Sequence, residues 1–349
     1  MGATGDIDAG ALAPYLAEAA PELGRVIGLD KFATGQSNPT YKLRCEAGTY
    51  VLRAKPPGAL LKSAHQVDRE YRVMYALEHS AVPVPRMVHL ADDAASPIGR
   101  AFFIMEMVAG PIYWDPAMPE VDAARRAGVY DAMNQTLAAL HDVVPEEVGL
   151  GEFGRPGQYF ARQTDRWSQQ YEASKLDANA DMERLIAWLT EAMPPEDGPE
   201  GGQVALVHGD FRLDNMIFDA DRPQVAALLD WELSTLGHPL ADLAYQCMQW
   251  RLPYQGGMRG LGGLDRAALG IPSEADYVAS YCARRGIAEP DNWAFYLAFS
   301  FFRLAAILTG VVRRAHDGNA SNPETARSYA AAIPLLASAA CTLIDEAPR

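Results

Sequence analysis

Four side chains lie close enough in the chain, and are of the right types, to do chemistry together: His208, Asp210, Asn215 and Asp230. An apolar run of strand character, Val204 to Val207, breaks at His208-Gly209-Asp210. Asn215 stands five residues after Asp210, and Asp230 closes a second apolar run, Val225 to Leu229. Between the runs, Asp219-Ala220-Asp221-Arg222-Pro223 has the composition of a turn. The pattern is strand, polar loop and hairpin, with one acid on the loop, an amide at its end and a second acid past the hairpin. Phosphoryl transfer from ATP needs such a set. A carboxylate orients a hydroxyl and takes its proton, and oxygen ligands hold the Mg²⁺ that bridges the phosphates. In this reading Asp210 is the base, while Asn215 and Asp230 hold magnesium. An Asp and an Asn at this spacing alone would be an ordinary turn. The histidine, the flanking strands and the second Asp favour the catalytic reading.

A protein-kinase catalytic loop reads H-R-D-x-x-x-x-N and is followed by D-F-G on the next hairpin. His208, Asp210 and Asn215 keep that spacing, and Asp230-Trp231-Glu232 stands in the place of D-F-G. With HGDFRLDN (208–215) and LLDWELSTLGHPLADLAY (228–245), the chain resembles the aminoglycoside phosphotransferase-like (choline kinase-like) family, a branch of the protein-kinase-like fold. More narrowly it resembles the branch found fused to acyl-CoA dehydrogenases in some animals and free-standing in bacteria. GLGEFGRPGQYFARQTDRWSQQYEASK (149–175) is similar to that branch as well, so the resemblance covers nearly the whole chain. It implies an α+β, bilobal protein kinase-like fold. A small antiparallel β-sheet N-lobe would span residues 1–108, and a mostly helical C-lobe, 109–349, would carry the catalytic loop and the acceptor site. ATP and Mg²⁺ would be the cofactors, with ATP between the lobes.

Other elements must position these groups. Asp8 to Leu23 has helical spacing with Asp8 as a cap, and Arg25 to Ala33 reads as a strand. The turn after it supplies Gly35, Ser37 and Asn38 to the phosphates, through backbone N–H groups and short polar side chains. Strands Tyr41 to Cys45 and Tyr50 to Ala54 follow. Arg53 occupies the place of the kinase lysine that clamps the α- and β-phosphates. Lys55, two residues on, is the substitute. Arginine pairs with phosphate in bidentate fashion but differs from lysine in reach. On a helix from Ser63 to His79, Glu70 is placed to pair with that basic residue, with Asp68 and Glu78 as competitors. Val82 to Pro85 reads as an extended linker, and Ala101 to Val108 as a strand leading to a hinge at Ala109-Gly110-Pro111. Backbone groups of Glu106 and Met107 would meet the adenine edge, with Met105 as a wall.

From Pro119 the pattern turns helical: Val121 to His141, Gln158 to Ser174, Asp181 to Met193, Glu274 to Arg285, and helices within Asn292 to Ile344. His141 reads as a packing residue. Asp242 would accept hydrogen bonds from the catalytic-loop backbone, and Arg212 either stabilises transferred charge or the acceptor's phosphate, or lies on the surface. The glycine-rich run 255–263 lacks the strand context of a dinucleotide fingerprint and reads as a loop, in solvent or at the acceptor entrance.

A net charge of −15 without a basic stripe argues against a nucleic-acid partner. The apolar window Ala294 to Val312 holds Arg303 near its middle and reads as a buried helix, so no membrane association is expected. Four cysteines without metal spacing, and an N-terminus lacking the pattern of a secretory signal, give a cytoplasmic expectation. The expected partner is a small-molecule acceptor. The dehydrogenase-fused branch implies a hydroxyacyl-CoA, which would need a basic patch beside the cleft. Arg155, Arg162, Arg166, Arg212, Arg251 and Arg259 are its available residues. The family name offers an aminoglycoside or macrolide instead. A non-catalytic nucleotide-binding protein on the same fold is the alternative from another class, disfavoured by the presence of Asp210, Asn215 and Asp230.

Overall fold

The computed structural model describes residues 7–32, 38–57, 66–197, 203–255, 260–318 and 329–346. Five strands form one antiparallel sheet: β1 (Val26–Lys31), β2 (Thr40–Cys45), β3 (Gly48–Ala54), β4 (Met87–Ala91) and β5 (Phe102–Glu106), in the order β1-β2-β3-β5-β4. Alternation along the strands sorts their side chains to two faces. Tyr41, Leu43, Leu52, Phe102 and Ile104 pack under α1 (Ala9–Ala19), which contributes Leu12 and Leu16. Asp8 caps that helix by accepting from the Gly10 amide at 2.8 Å, as its position predicts. Val51, Phe103 and Met105 face the other way, toward Val73, Met74 and Leu77 of α2 (Val67–Leu77), and merge with the core of the helical part. Strand β4 escaped the sequence reading, being a short edge strand after two prolines with a register irregularity between Met87 and His89.

The rest is mostly helical: α3 (Ala123–Asp142), α4 (Tyr159–Ser174), α5 (Ala180–Glu191), α6 (Leu240–Arg251), α7 (Arg266–Leu269), α8 (Glu274–Arg285), α9 (Trp293–His316) and α10 (Ala332–Glu346). Two helical stretches, Trp293–His316 and Tyr329–Glu346, are long and apolar enough to cross a membrane. The apolar window of the first is 78% buried inside the fold. Short strands interrupt the helices. β6 (Ala205–Val207) pairs with β9 (Thr235–Gly237), and β7 (Met216–Phe218) pairs with β8 (Val225–Leu228) as the expected hairpin. The run before His208 therefore finds its partner beyond Asp230, which brackets the hairpin between two paired ends. β9 was not expected, since three residues ending in glycine carry little strand signal.

The chain joins its two parts at a tight contact. The Phe218 amide donates to the Pro111 carbonyl at 3.0 Å, and a Cβ on Gly110 would collide with the Phe218 carbonyl. The glycine-rich run departs from expectation where it is described. Leu261 is fully buried, and its amide and that of Gly262 donate at 2.8 Å to carbonyls of Gln249 and Leu252, at the end of α6. Glycine is needed there because a Cβ on Gly260 would strike the Leu252 carbonyl. Residues 256–259 lie outside the described residues.

Under the turn that follows β6 runs a buried polar string. Asp242, at the start of α6, accepts from the amides of His208 at 2.6 Å and Gly209 at 2.8 Å. His141 Nε2 lies 3.3 Å from the same carboxylate, and its Nδ1 meets the Tyr281 hydroxyl at 2.7 Å. Burial opposes charge on Asp242, but the bonds from His141 and the loop amides outweigh it and lower its pKa. Burial also lowers the pKa of His141, despite Asp242. Both shifts have the same sign for stability. The unfolded chain takes up protons that the folded one refuses, so stability is present above the ordinary pKa values and declines on acidification.

Thermal unfolding followed from pH 8 to 4 is therefore expected to show Tm falling as pH drops below about 6.5, the ordinary histidine value, with a smaller fall in His141→Gln. An identical pH slope in the variant would remove His141 from the account. Gly110→Ala is expected to cost about 1–3 kcal/mol by overpacking, seen as a lower urea midpoint at unchanged m. An unaltered midpoint would mean that the contact with Phe218 relaxes freely.

Candidate active site

The turn His208-Gly209-Asp210 is fixed from three sides. Asp242 holds two of its amides from below. The His208 ring donates from Nε2 to the Leu229 carbonyl at 2.9 Å and accepts the Asp210 amide at Nδ1, at 3.2 Å. A carbonyl can only accept and an amide can only donate, so the ring proton sits on Nε2. On the remaining side, Arg303 of α9 donates to the Gly209 carbonyl at 2.6 Å. Arg303 is 5% exposed, lies near the rings of Tyr245 and Trp167, and makes no ion pair among the described residues.

Asp210 and Asn215 come together as the spacing predicts. Asn215 Nδ2 donates to both the backbone carbonyl and Oδ2 of Asp210, at 2.9 Å each. With its NH₂ so committed, the amide turns Oδ1 away from Asp210. The Leu229 amide donates to the Asn215 carbonyl at 2.8 Å and so brings the end of the loop beside Asp230. Asp230 itself has φ 64° and ψ 60°, a left-handed conformation that a non-glycine residue adopts at a cost. Tyr245, missed by the sequence reading, lies beside Asp210. Burial and then the Asp210 charge raise the pKa of its hydroxyl, which therefore keeps its proton. Arg212 is clamped on Asp214 by two bonds of 2.5 Å. Burial works against its charge, but Tyr245, Asp214 and Asp210 raise its pKa.

Across the cleft, Arg53 on β3 meets Asp230. Its Nη2 donates to Asp230 Oδ1 at 2.7 Å and stands 4.0 Å from Glu232. Its Nε is 3.0 Å from Glu70 Oε2 but outside hydrogen-bond geometry, so that pair is a contact of charges. Glu70 is 1% exposed, and burial, helped by Asp230 and Glu232, pushes its carboxyl up to about 8 against the pull of Arg53 and Asn38. Its competitors lie elsewhere: Asp68 is exposed, and Glu78 accepts from the Met87 amide. Lys55 follows the end of β3 and is paired with Asp93 at 2.6 Å.

Some expected donor-site contacts are not assembled. Gly35 and Ser37 lie outside the described residues. Asn38 is buried and its Nδ2 donates to Glu70 Oε1 at 2.7 Å, so its side chain braces the helix glutamate instead of facing phosphate. The Glu106 amide donates to the Arg86 carbonyl at 2.9 Å and the Met107 amide to the Thr49 carbonyl at 3.4 Å. Both amides are thus paired with neighbouring strands, which leaves the carbonyls as the backbone groups of the expected adenine edge. The Glu106 carboxylate pairs with Arg86, Met107 is exposed, and Met105 lies in the core. Arg303 and Tyr245 left only faint marks in the sequence, a lone charge in an apolar helix and a tyrosine one turn past Asp242.

Residues 29–295 match the model of the "Phosphotransferase enzyme family". The chain is 46% identical over 299 residues to mouse acyl-CoA dehydrogenase family member 10, covering 85% of this chain and 27% of that one. It is 44% identical to the probable acyl-CoA dehydrogenase IBR3 of Arabidopsis thaliana, over 86% of this chain and 38% of that one. This chain thus spans well under half the length of these curated relatives. Among solved structures it is similar to a provisionally named aminoglycoside phosphotransferase from Ralstonia eutropha JMP134. There the TM-score is 0.88 at 42% identity, with 99% of this chain and 100% of that one covered. A spectinomycin phosphotransferase in complex with ADP and spectinomycin matches with a TM-score of 0.64 at 12% identity, over 97% and 99% of the two chains, a likeness of fold. The chain belongs to the phosphotransferase enzyme family and has its protein kinase-like α+β fold, a small antiparallel sheet followed by a helical part.

Proposed function

We propose that this chain transfers the γ-phosphoryl group of ATP, with Mg²⁺, to the hydroxyl of a small molecule, and that the acceptor is a hydroxyacyl-CoA. The observation that carries the reading is the meeting of Asp210, Asn215, Asp230 and Arg53 at one cleft, with Glu70 behind the arginine. Asp210 orients the acceptor hydroxyl and takes its proton. The acceptor oxygen bonds to the γ-phosphorus as the bond from phosphorus to the β,γ-bridging oxygen breaks, and ADP leaves. Asn215 fixes Asp210 by two bonds, so the carboxylate needs little reorganisation as the hydroxyl arrives. The donor set fits magnesium: a carboxylate at Asp230 and an amide oxygen at Asn215 are hard oxygen ligands. Bound Mg²⁺ would neutralise charge on the phosphates. Arg53, held on Asp230 in the free protein, would turn its planar donors to the α- and β-phosphates. ADP and an ATP analogue in structures of the same fold support ATP as donor. Relatives named for acyl-CoA chemistry support the acceptor class.

Asp210→Asn is expected to lower turnover by roughly 10²–10⁴-fold, the usual worth of a general base, while the thermal shift produced by Mg·ATP persists. Turnover within twofold of wild type would sink the assignment of the base. Phosphate transfer from Mg·ATP, with product confirmed by mass, is expected with hydroxyacyl-CoAs and not with aminocyclitol or macrolide antibiotics. Product from antibiotics alone would overturn the acceptor. ATP binding without turnover on any acceptor would favour the non-catalytic reading.

A further inference from the structure

Of the arginines that could serve a phosphate-rich acceptor, the fold gathers several beside the catalytic turn. Arg155, Arg162 and Arg166 lie on α4 and the loop before it, joined by the donation of Arg162 Nη2 to the Arg155 carbonyl at 2.6 Å. The Arg166 guanidinium is 4.9 Å from the centre of the Trp167 ring, and Arg303, which holds the Gly209 carbonyl, is 5.9 Å from the same ring. Arg303 also lies 5.5 Å from the ring of Tyr245, the tyrosine beside Asp210. Tyr159 feels the charges of Arg303, Arg166 and Arg162 together and packs against Gly237, next to the catalytic segment. Positive groups are thus gathered along α4 and linked through Trp167 and Tyr159 to Arg303, which holds the turn before Asp210.

These charges are not spent on the protein. Arg155, Arg162 and Arg166 make no ion pair among the described residues. The nearest acid at the start of α4, Asp197, accepts the amides of Phe160 and Ala161 at 2.9 Å each. The Arg162 pKa is lowered by burial and by its neighbour Arg155, which together outweigh the opposing pull of Asp197 and Tyr159. By contrast Arg251 is clamped on Glu274 and belongs to another face, and Arg259 lies outside the described residues. A group of neighbouring guanidinium groups without an ion pair among the described residues is suited to an oligoanion and suits phosphate by its fork geometry.

We infer that the acceptor carries phosphate groups remote from its reacting hydroxyl, and that Arg155, Arg162 and Arg166 receive them as the specificity residues of the acceptor site. The inference rests on the proposed hydroxyacyl-CoA kinase reading and adds the residues that discriminate for the nucleotide end of such an acceptor. A hydroxyacyl-pantetheine, which has the same thioester and hydroxyl without the phosphates, is then a poor substrate.

The experiment compares wild type with Arg162→Ala/Arg166→Ala in three measurements. Free CoA and Mg·ATP binding are read by calorimetry, and the ratio of kcat/KM for a hydroxyacyl-CoA over its pantetheine ester is read by kinetics. Wild type is expected to bind CoA and to prefer the CoA ester at least tenfold. The variant is expected to lose tenfold or more in CoA affinity and to drop the ratio toward one, with Mg·ATP affinity unchanged. Equal CoA binding in the two proteins, or no CoA binding by wild type, overturns the inference. Parallel loss of ATP affinity also overturns it, by assigning the arginines to the donor. Arginine-dependent CoA binding without phosphorylation of either ester leaves the subsite standing and refutes the proposed reaction. Phosphorylation indifferent to the arginines does the reverse.

Discussion

One buried carboxylate sets the geometry on which the site depends. Asp242 takes two successive backbone amides of the turn before Asp210, and His141 on its far side. An amide left unpaired at that depth would cost about 1–3 kcal/mol, so the turn has one favoured position and Asp210 follows it. The other supports repeat this logic with different chemistry: a ring proton to Leu229, a guanidinium to Gly209, an amide to the carboxylate itself. Each acts on the backbone or side chain of the same three residues. Asp210 is thus held in place without being buried.

Arg53 occupies the opposite position, shared among several carboxylates and satisfied fully by none. Its directional bond goes to Asp230, while Glu70 lies close but off axis and Glu232 stands at the limit of an ion pair. Burial of Glu70 disfavours its charged form, so the arginine is the main counterweight to three acids in one place. Ligands that carry both positive and negative charge relieve such a cluster better than either sign alone. This is the electrostatic reason that a metal–phosphate pair suits it.

Much of this was legible in the residues. The spacing from His208 to Asn215 and the hairpin before Asp230 come from local pattern, because strand and turn signals are local, while the Arg53–Glu70 pair is what the kinase-like resemblance implies. What escaped was set by distant pairing. β9 exists because Ala205 to Val207 needs a partner, and Arg303 lies more than ninety residues from the carbonyl it holds. Asn38 was assigned to phosphate from the place a kinase phosphate loop would take, and its side chain instead supplies a donor to the buried Glu70. Backbone groups of Glu106 and Met107 were expected at an adenine edge, and of these the two amides are taken up by pairing within the sheet.

The inner face of the sheet has a consequence for how this unit can be combined with others. Val51, Phe103 and Met105 share one apolar cluster with α2 and the helical part, and Arg69 of α2 reaches across to the carbonyls of Phe153 and Ser234. Cut away from the helices, the sheet would present a greasy surface with no cover of its own. The sheet and the helical part therefore cannot be shuffled separately by recombination. Wherever a longer polypeptide carries this unit, as the relatives matched over a fraction of their length do, it is expected to be inherited whole, with joints tolerated only outside the shared core.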